Sequence, residues 1–345
     1  MNTKKKTLIL RFSSVGDVVQ TLSAAQNLAE AGHEVHWAIR VDLAPLIQYH
    51  PAVFRVWKLE RRDGLRGLIT LFWQLRRENF DFVYDAHDST RSNFIFWGLR
   101  LIPTLKQIVK ERHFLKRNLQ RARRFIWIKF KKNWLTGPQE AQLQILEPLA
   151  EWGVETTLPK TPQFFIDPKS REIAQTELKK YQLTNYIALC PSAAHDLKRW
   201  PIEHWRQLIQ LLPNQKFAIL GGPQDTFLSE LVELGPDRVI NFAGRLTLLE
   251  SAAVIDSARV TITNDTGMMH IAEQLLKPTF ALLGPAPFGY PSRHQTTTRV
   301  FERDLECRPC SKHGQGPCIN PNFKECLKSI TPIEIVEALK NANFI

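Results

Sequence analysis

The stretch RVTITNDTGMMHIAEQLLKPTFALLGPAPFGYP, Arg259 to Pro291, decides the fold. Val260 and Ile262 at one end and Thr279-Phe280-Ala281-Leu282-Leu283 at the other have the composition of short buried strands. Gly267 to Leu276 between them has helical spacing, so the stretch predicts one strand, helix, strand unit of a parallel sheet. The first strand ends in Asn264-Asp265-Thr266-Gly267. Asp265 and Thr266 suit the cap of the following helix, and Gly267 admits close approach of a ligand. Free N–H groups and the positive end of a helix then collect at the carboxyl edge of the sheet, where a phosphate would lie. His270, four residues after Thr266, falls on the same side of that helix. The second strand ends in Gly284-Pro285-Ala286-Pro287, another close-approach loop. A plain helix cap explains Asp265 and Thr266 as well as a phosphate contact does.

The same pattern continues upstream. Ile187 to Cys190 reads as a buried strand followed by Pro191-Ser192-Ala193-Ala194, and Phe217 to Leu220 as a strand ending in Gly221-Gly222-Pro223. A helix around Glu203 to Leu212, a strand at Val239 to Phe242 and a helix at Leu248 to Ser257 complete a doubly wound half. Strand ends rich in small residues suit a nucleotide diphosphate better than an uncharged metabolite, with Ser192, Thr266, Gly267 and Gly284 as backbone or hydroxyl contacts. Lys198 and Arg199 each offer a charge to offset the pyrophosphate. Asp225 suits either ribose hydroxyls or a helix cap.

The N-terminal half repeats the theme. Thr7 to Phe12 is a strand running into Ser13-Ser14-Val15-Gly16-Asp17, and a helix follows from Val18 to Ala31, stopped by Gly32. Strands at Glu34 to Ile39, Val53 to Leu59 and Phe80 to Asp85 follow. Neither GxGxxG nor GxxxxGK[ST] is present, which argues against a dinucleotide enzyme. Asp17, at the carboxyl end of the first strand, is placed to meet a ligand or to cap its helix. Asp85-Ala86-His87-Asp88-Ser89-Thr90-Arg91 is dense in polar groups and reads either as a satisfied turn or as substrate contact through Asp88 and Arg91.

At 345 residues the chain suits two domains, and 43% hydrophobic and 23% charged residues are those of a globular protein. Gly153 to Pro168, rich in Pro and Thr, reads as the linker. The expected fold is α/β with two Rossmann-like doubly wound domains, 1–160 and 161–330, facing a central cleft, and a C-terminal helix in 331–345. Leu8 to Phe12 is too short an apolar run for a signal core or a membrane span, so a cytoplasmic protein is expected.

The net charge is +12, and Lys110 to Trp134 carries +9 of it, with ten Lys or Arg and one acidic residue. Leu115, Leu119, Ala122, Ile126 and Phe130 have helical spacing. They predict a basic amphipathic helix within Glu111 to Leu135, with Arg117, Arg121, Arg124 and Lys132 among its cations and Phe125, Trp127 and Trp134 as exposed aromatics. Such a helix suits an anionic membrane surface or an anionic lipid-linked substrate. Nucleic acid ranks lower, because no nucleic-acid module surrounds the segment. Cys307, Cys310, Cys318 and Cys326 follow C-x2-C-x7-C-x7-C, a pattern open to a structural zinc site.

A carboxylate in one half and phosphate-binding backbone with a basic residue in the other are the parts needed to transfer a sugar from a nucleotide. No DxD pair is present, so no metal is expected to be required. Four fragments, SSVGDVVQTLSA at Ser13 to Ala24, LKRWPIEHW at Leu197 to Trp205, NDTGMMHIAEQLLKPTFALLGP at Asn264 to Pro285, and RDLECRPC from Arg303 with its later cysteines, occur in the order seen in one family. On these the chain resembles the lipopolysaccharide heptosyltransferases, inverting GT-B enzymes of glycosyltransferase family nine. The resemblance implies Asp17 as general base, with Ser14 and Gly16 beside it on the acceptor side, and Lys198 near the donor diphosphate. It also implies Asp265, Thr266, Gly267 and His270 as the donor motif, with Thr266 and Gly267 near phosphate. It further implies ADP-L-glycero-β-D-manno-heptose as donor and the inner core on lipid A as acceptor, modified at the cytoplasmic face of the inner membrane. No obligate protein partner is implied, and relatives return the C-terminal helix toward the first domain. Gln20, Ser23 and Ala286 depart from the family pattern, which keeps a family-nine-like transferase with another sugar or acceptor in view. A GT-B sugar-nucleotide epimerase and a non-catalytic membrane-peripheral binding protein are the competing readings.

Overall fold

The computed structural model describes residues 5–108, 111–293 and 296–345. Lys110 of the basic segment lies outside them. The chain divides into two compact units, Met1–Leu119 with Glu140–Phe165, and Gln120–Gln139 with Ile166–Ile345. The chain therefore crosses at Phe165 to Ile166, inside the stretch read as a linker. It also makes an excursion, 120–139, which begins inside the basic segment.

The first unit is a five-stranded parallel sheet of β1 (Lys5–Leu10), β2 (His33–Arg40), β3 (Val53–Leu59), β4 (Phe82–Asp85) and β5 (His113–Lys116), in the order β3-β2-β1-β4-β5. Ile9 is in register with Trp37 on one side and Tyr84 on the other. Leu8, Ile9 and Leu10 are fully buried, as a central parallel strand requires. Helix α1 (Val15–Glu30) buries Val18, Val19, Leu22, Ala25 and Leu28. Helices α2 (Gly64–Arg77) and α3 (Thr90–Leu101) close the other core around Phe72 and Phe96. The strand order reverses between β1 and β4, so the crevice for a ligand opens at their carboxyl ends.

The second unit has a six-stranded parallel sheet of β6 (Ile187–Cys190), β7 (Phe217–Ile219), β8 (Val239–Asn241), β9 (Val260–Asn264), β10 (Thr279–Leu282) and β11 (Thr298–Phe301), ordered β11-β10-β9-β6-β7-β8. The reversal falls between β6 and β9, and the strand ends there are Cys190-Pro191-Ser192 and Asn264-Asp265. Helix α4 (Arg121–Phe130) belongs to this unit, followed by α5 (Pro168–Lys180), α6 (Ile202–Leu211), α7 (Leu248–Ser257), α8 (Gly267–Gln274) and α9 (Pro332–Asn341). α9 turns Ile335, Val336 and Leu339 inward as its spacing predicts, and it packs on α6 of its own unit.

The basic segment differs from the helix predicted over it. Its first part is β5, paired in parallel with β4 so that Val83 faces Phe114 and Tyr84 faces Leu115. An open sheet edge offered better use of the backbone than a helical turn, and Leu115 serves the sheet. The helix proper is only α4. Arg117 and Arg124 are buried, whereas Arg121, Arg123, Lys129 and Lys132 are exposed beside Phe125, Phe130 and Trp134. Trp127 is not a free aromatic. It meets Phe288 edge-on at 5.6 Å, with the Arg124 guanidinium 5.1 Å from the same ring. No helix of the described residues is long and apolar enough to cross a membrane.

Candidate functional site

In the first unit the chemistry collects around Asp17. Ser14 caps α1, and both its N–H and its hydroxyl donate to Asp17 Oδ2, at 3.3 and 2.8 Å. Arg11 Nη2 reaches the same oxygen at 2.6 Å. Oδ1 has Arg117 Nη1 at 4.0 Å as its cationic neighbour. The carboxylate is 38% exposed, while the two arginines are only 4% and 5% exposed. Burial pushes the Asp17 carboxyl up, but the two guanidiniums and the Ser14 hydrogen bonds outweigh it and hold the group well below the usual carboxylate range. Asp17 is thus an anchored carboxylate, held ionised at neutral pH and partly open to solvent.

β4 supplies the rest of this edge. Asp85 is fully buried and its Oδ1 accepts from the N–H groups of His87 and Asp88. Burial, with Arg11 nearby, lowers His87 to about 4, so its ring is neutral at pH 7. Asp88 Oδ1 accepts from Asn93 and Lys116, and Arg91 is exposed in the first turn of α3.

In the second unit Lys198 Nζ lies 2.6 Å from Asp265 Oδ2, with the side chains 16% and 10% exposed. Asn264 ties the two switch-point strands together, taking the Trp200 N–H on Oδ1 and donating its amide to Pro191 O at 2.6 Å. Thr266, not Asp265, is the N-cap of α8, its Oγ1 accepting the Met268 N–H at 3.2 Å. Gly267 begins the helix and Ser192 is half-buried beyond β6. Asp225 closes its own turn, accepting the Gly222 N–H at 2.7 Å, with Arg199 3.8 Å from its other oxygen. A side chain at Gly284 would meet Leu197 O at 3.0 Å and Leu327 at 3.1 Å, so this close approach is made by the protein itself.

Residues 68–316 match the sequence model of glycosyltransferase family 9 (heptosyltransferase). The chain belongs to glycosyltransferase family 9. It is therefore a glycosyltransferase, and its two Rossmann-like units are those of the GT-B fold class. Lipopolysaccharide heptosyltransferase 1 of Pseudomonas aeruginosa is 25% identical over 327 residues, covering 89% of this chain and 86% of the relative. Among solved structures, a glycosyl transferase family 9 protein from Veillonella parvula has a TM-score of 0.77 at 20% identity, covering 99% and 98% of the two chains. An E. coli heptosyltransferase with ADP-2-deoxy-2-fluoro heptose has a TM-score of 0.66 at 21% identity, covering 98% and 99%.

Three features of this family 9 enzyme escape a reading of its sequence. Arg11 looks like the outer end of a strand and Arg117 like one cation in a basic surface, yet both are buried against Asp17. His270 looks like a free pocket residue, but it is 95% buried with Nδ1 3.0 Å from Glu273 Oε2, and Glu273 Oε1 takes the Arg293 N–H. The structural zinc site that the four-cysteine spacing left open is not supported. Among the described residues no group of three or more His, Cys, Asp or Glu is placed to hold a metal ion. Cys326 is turned into the core by the short helix Glu325–Lys328, and burial pushes its thiol up to about 11. Cys307 and Cys318 serve as sulfur acceptors for Asn320 and for the Lys324 N–H.

Proposed function

We propose that the enzyme moves heptose from ADP-heptose to an anionic lipid-linked saccharide, the inner core on lipid A, with inversion and with Asp17 as general base. The observation that carries this reading is the anchored carboxylate at the switch point of one sheet, matched by a lysine and a helix N-terminus at the switch point of the other. The acceptor hydroxyl oxygen bonds to the anomeric carbon while that carbon's bond to the diphosphate oxygen breaks. The hydroxyl proton passes to Asp17 Oδ1, and ADP leaves. A carboxylate held by two arginines is a weak base toward a resting alcohol. The hydroxyl becomes acidic as its bond to the sugar forms, so proton transfer comes late and full ionisation of Asp17 is the gain. On the donor side the backbone at Thr266 and Gly267 and the Lys198 ammonium meet the charge that grows on the leaving diphosphate. The ADP-sugar analogue held by the E. coli neighbour supports the choice of donor.

The exposed face of α4 fits the same reading. Phe125, Phe130 and Trp134 are 57%, 64% and 56% exposed among the five exposed cations of 121–134, a surface suited to the headgroup level of an anionic bilayer at the cytoplasmic face. The experiment is a panel of ADP- and UDP-sugars against lipid-A-linked cores, with each donor also incubated alone. Heptose transfer from ADP-heptose, and donor recovered unchanged without acceptor, is the expected result. Transfer of another sugar would keep the class and remove the heptose assignment, and isomerised donor would favour the epimerase.

A further inference from the structure

The cysteine-rich segment, Cys307 to Cys326, is a motif that the transfer chemistry leaves without a task. It is fastened to the donor-side loops at both ends. The Cys310 N–H donates to Pro285 O at 3.1 Å, and Lys324 Nζ lies 3.3 Å from Asp196 Oδ2, two residues before Lys198. From the other side Lys131 Nζ donates to the carbonyls of Cys307 and Pro309, at 2.8 and 2.6 Å. Between those anchors stands Gly314, with φ +77. A Cβ there would lie 2.8 Å from Lys198 Cγ and 3.4 Å from His195 Cβ.

A lysine stem carries rotamer entropy, and a diphosphate must repay whatever part of it binding removes. Backbone packed against Cγ removes rotamers before the ligand arrives and leaves the ammonium aimed where Asp265 now meets it. We propose that Gly314 is a positioning residue for Lys198, and that the cysteine-rich segment forms the wall of the nucleoside-diphosphate site that presents this lysine. The proposal rests on the reading of Lys198 as the cation of the donor diphosphate.

Gly316 supplies the control. It has φ +86 and open space around its missing side chain, so an alanine there carries the same left-handed backbone cost without touching Lys198. ADP is titrated calorimetrically into the wild type, Gly314→Ala, Gly316→Ala, Lys198→Ala and the Gly314→Ala/Lys198→Ala pair. Gly314→Ala should weaken ADP about tenfold and Gly316→Ala less than about twofold. In the Lys198→Ala background, Gly314→Ala should add almost nothing, because a residue acting through Lys198 has no effect once that side chain is gone. Equal affinities for the two glycine variants, or the same tenfold loss without Lys198, overturn the proposal. If Lys198→Ala itself binds ADP like the wild type, the donor reading fails and takes the proposal with it. Should Gly314→Ala not fold, Lys324→Ala releases the anchor at Asp196. It should weaken ADP about threefold, and unchanged affinity there overturns the proposal equally.

Discussion

Two carboxylate–cation pairs of this enzyme have the same 2.6 Å separation and opposite designs. At Asp17 the cation is an arginine that is 4% exposed, and the carboxylate is the open partner. Arg117 is nearly as deeply buried on the other side, and neither guanidinium can lose its proton. At Lys198 both partners are partly covered and the cation is a point charge on a flexible stem. The first arrangement fixes a negative charge and turns it outward. The second holds a positive charge that a more highly charged partner can draw away from Asp265. One centre is suited to accepting a proton, the other to receiving a diphosphate.

The largest expected effect breaks the first centre. Asp17→Asn keeps the shape and loses the proton acceptor, so turnover should fall roughly 10²-fold or more, and near-normal turnover would remove Asp17 as the base. Two buried guanidiniums then lack their counter-charge, which should cost roughly 1–2 kcal/mol of stability, discounted for the exposure of Asp17, and show as a lower denaturant midpoint. Lys198→Ala should reduce kcat/KM by roughly ten- to a hundredfold, since it removes one stabilising charge among several donors. Unchanged steady-state kinetics would remove it from the site.

A milder contrast lies in acid sensitivity. In the first unit His33, His50 and His87 are each lowered to about 4, chiefly by burial. His50 shows the fixed neutral form, its Nδ1 taking the Ala52 N–H while Nε2 faces Gln163. A histidine lowered on folding contributes stability that is full above about 6.5 and is lost as pH falls toward 4, because the unfolded chain binds the proton first. Unfolding free energies from urea titrations should therefore fall between pH 7 and pH 5, by of order 1–2 kcal/mol per buried histidine, and His50→Gln should flatten that slope. Free energies independent of pH across this range would contradict the assignment. The smallest effect concerns the surface. Changing Arg121, Lys129 and Lys132 to Gln should weaken binding to phosphatidylserine vesicles by about 1 kcal/mol per charge at low salt and leave ADP binding intact. Equal vesicle binding would remove α4 from the membrane face.

The central strands were legible in sequence because their signals are local, whereas the edge strands β5 and β11 were not read. Short apolar runs ending in Gly, Ser and Pro at Asn264 to Gly267 and at Pro191 to Ala194 mark parallel strands and their ligand edge. Asp17 and the pair Lys198-Arg199 stand out in the sequence because each lies just past such an end, and the choice of Lys198 over Arg199 came from the family resemblance. Arg11 and Arg117 were hidden because their burial is decided by partners 6 and 100 residues away in the chain. Helical spacing through Leu115 misled because pairing with β4 claimed His113 to Lys116 first. Cysteine spacing left a metal site open because it carries no sign that Cys326 packs into the core.

The division of labour between the two centres is tested most directly by titrating ADP into the wild type, Asp17→Asn and Lys198→Ala side by side in one calorimeter. Asp17→Asn is expected to bind ADP within about twofold of the wild type, while Lys198→Ala binds it about tenfold more weakly. Weakened ADP binding in Asp17→Asn together with unchanged binding in Lys198→Ala would contradict that division.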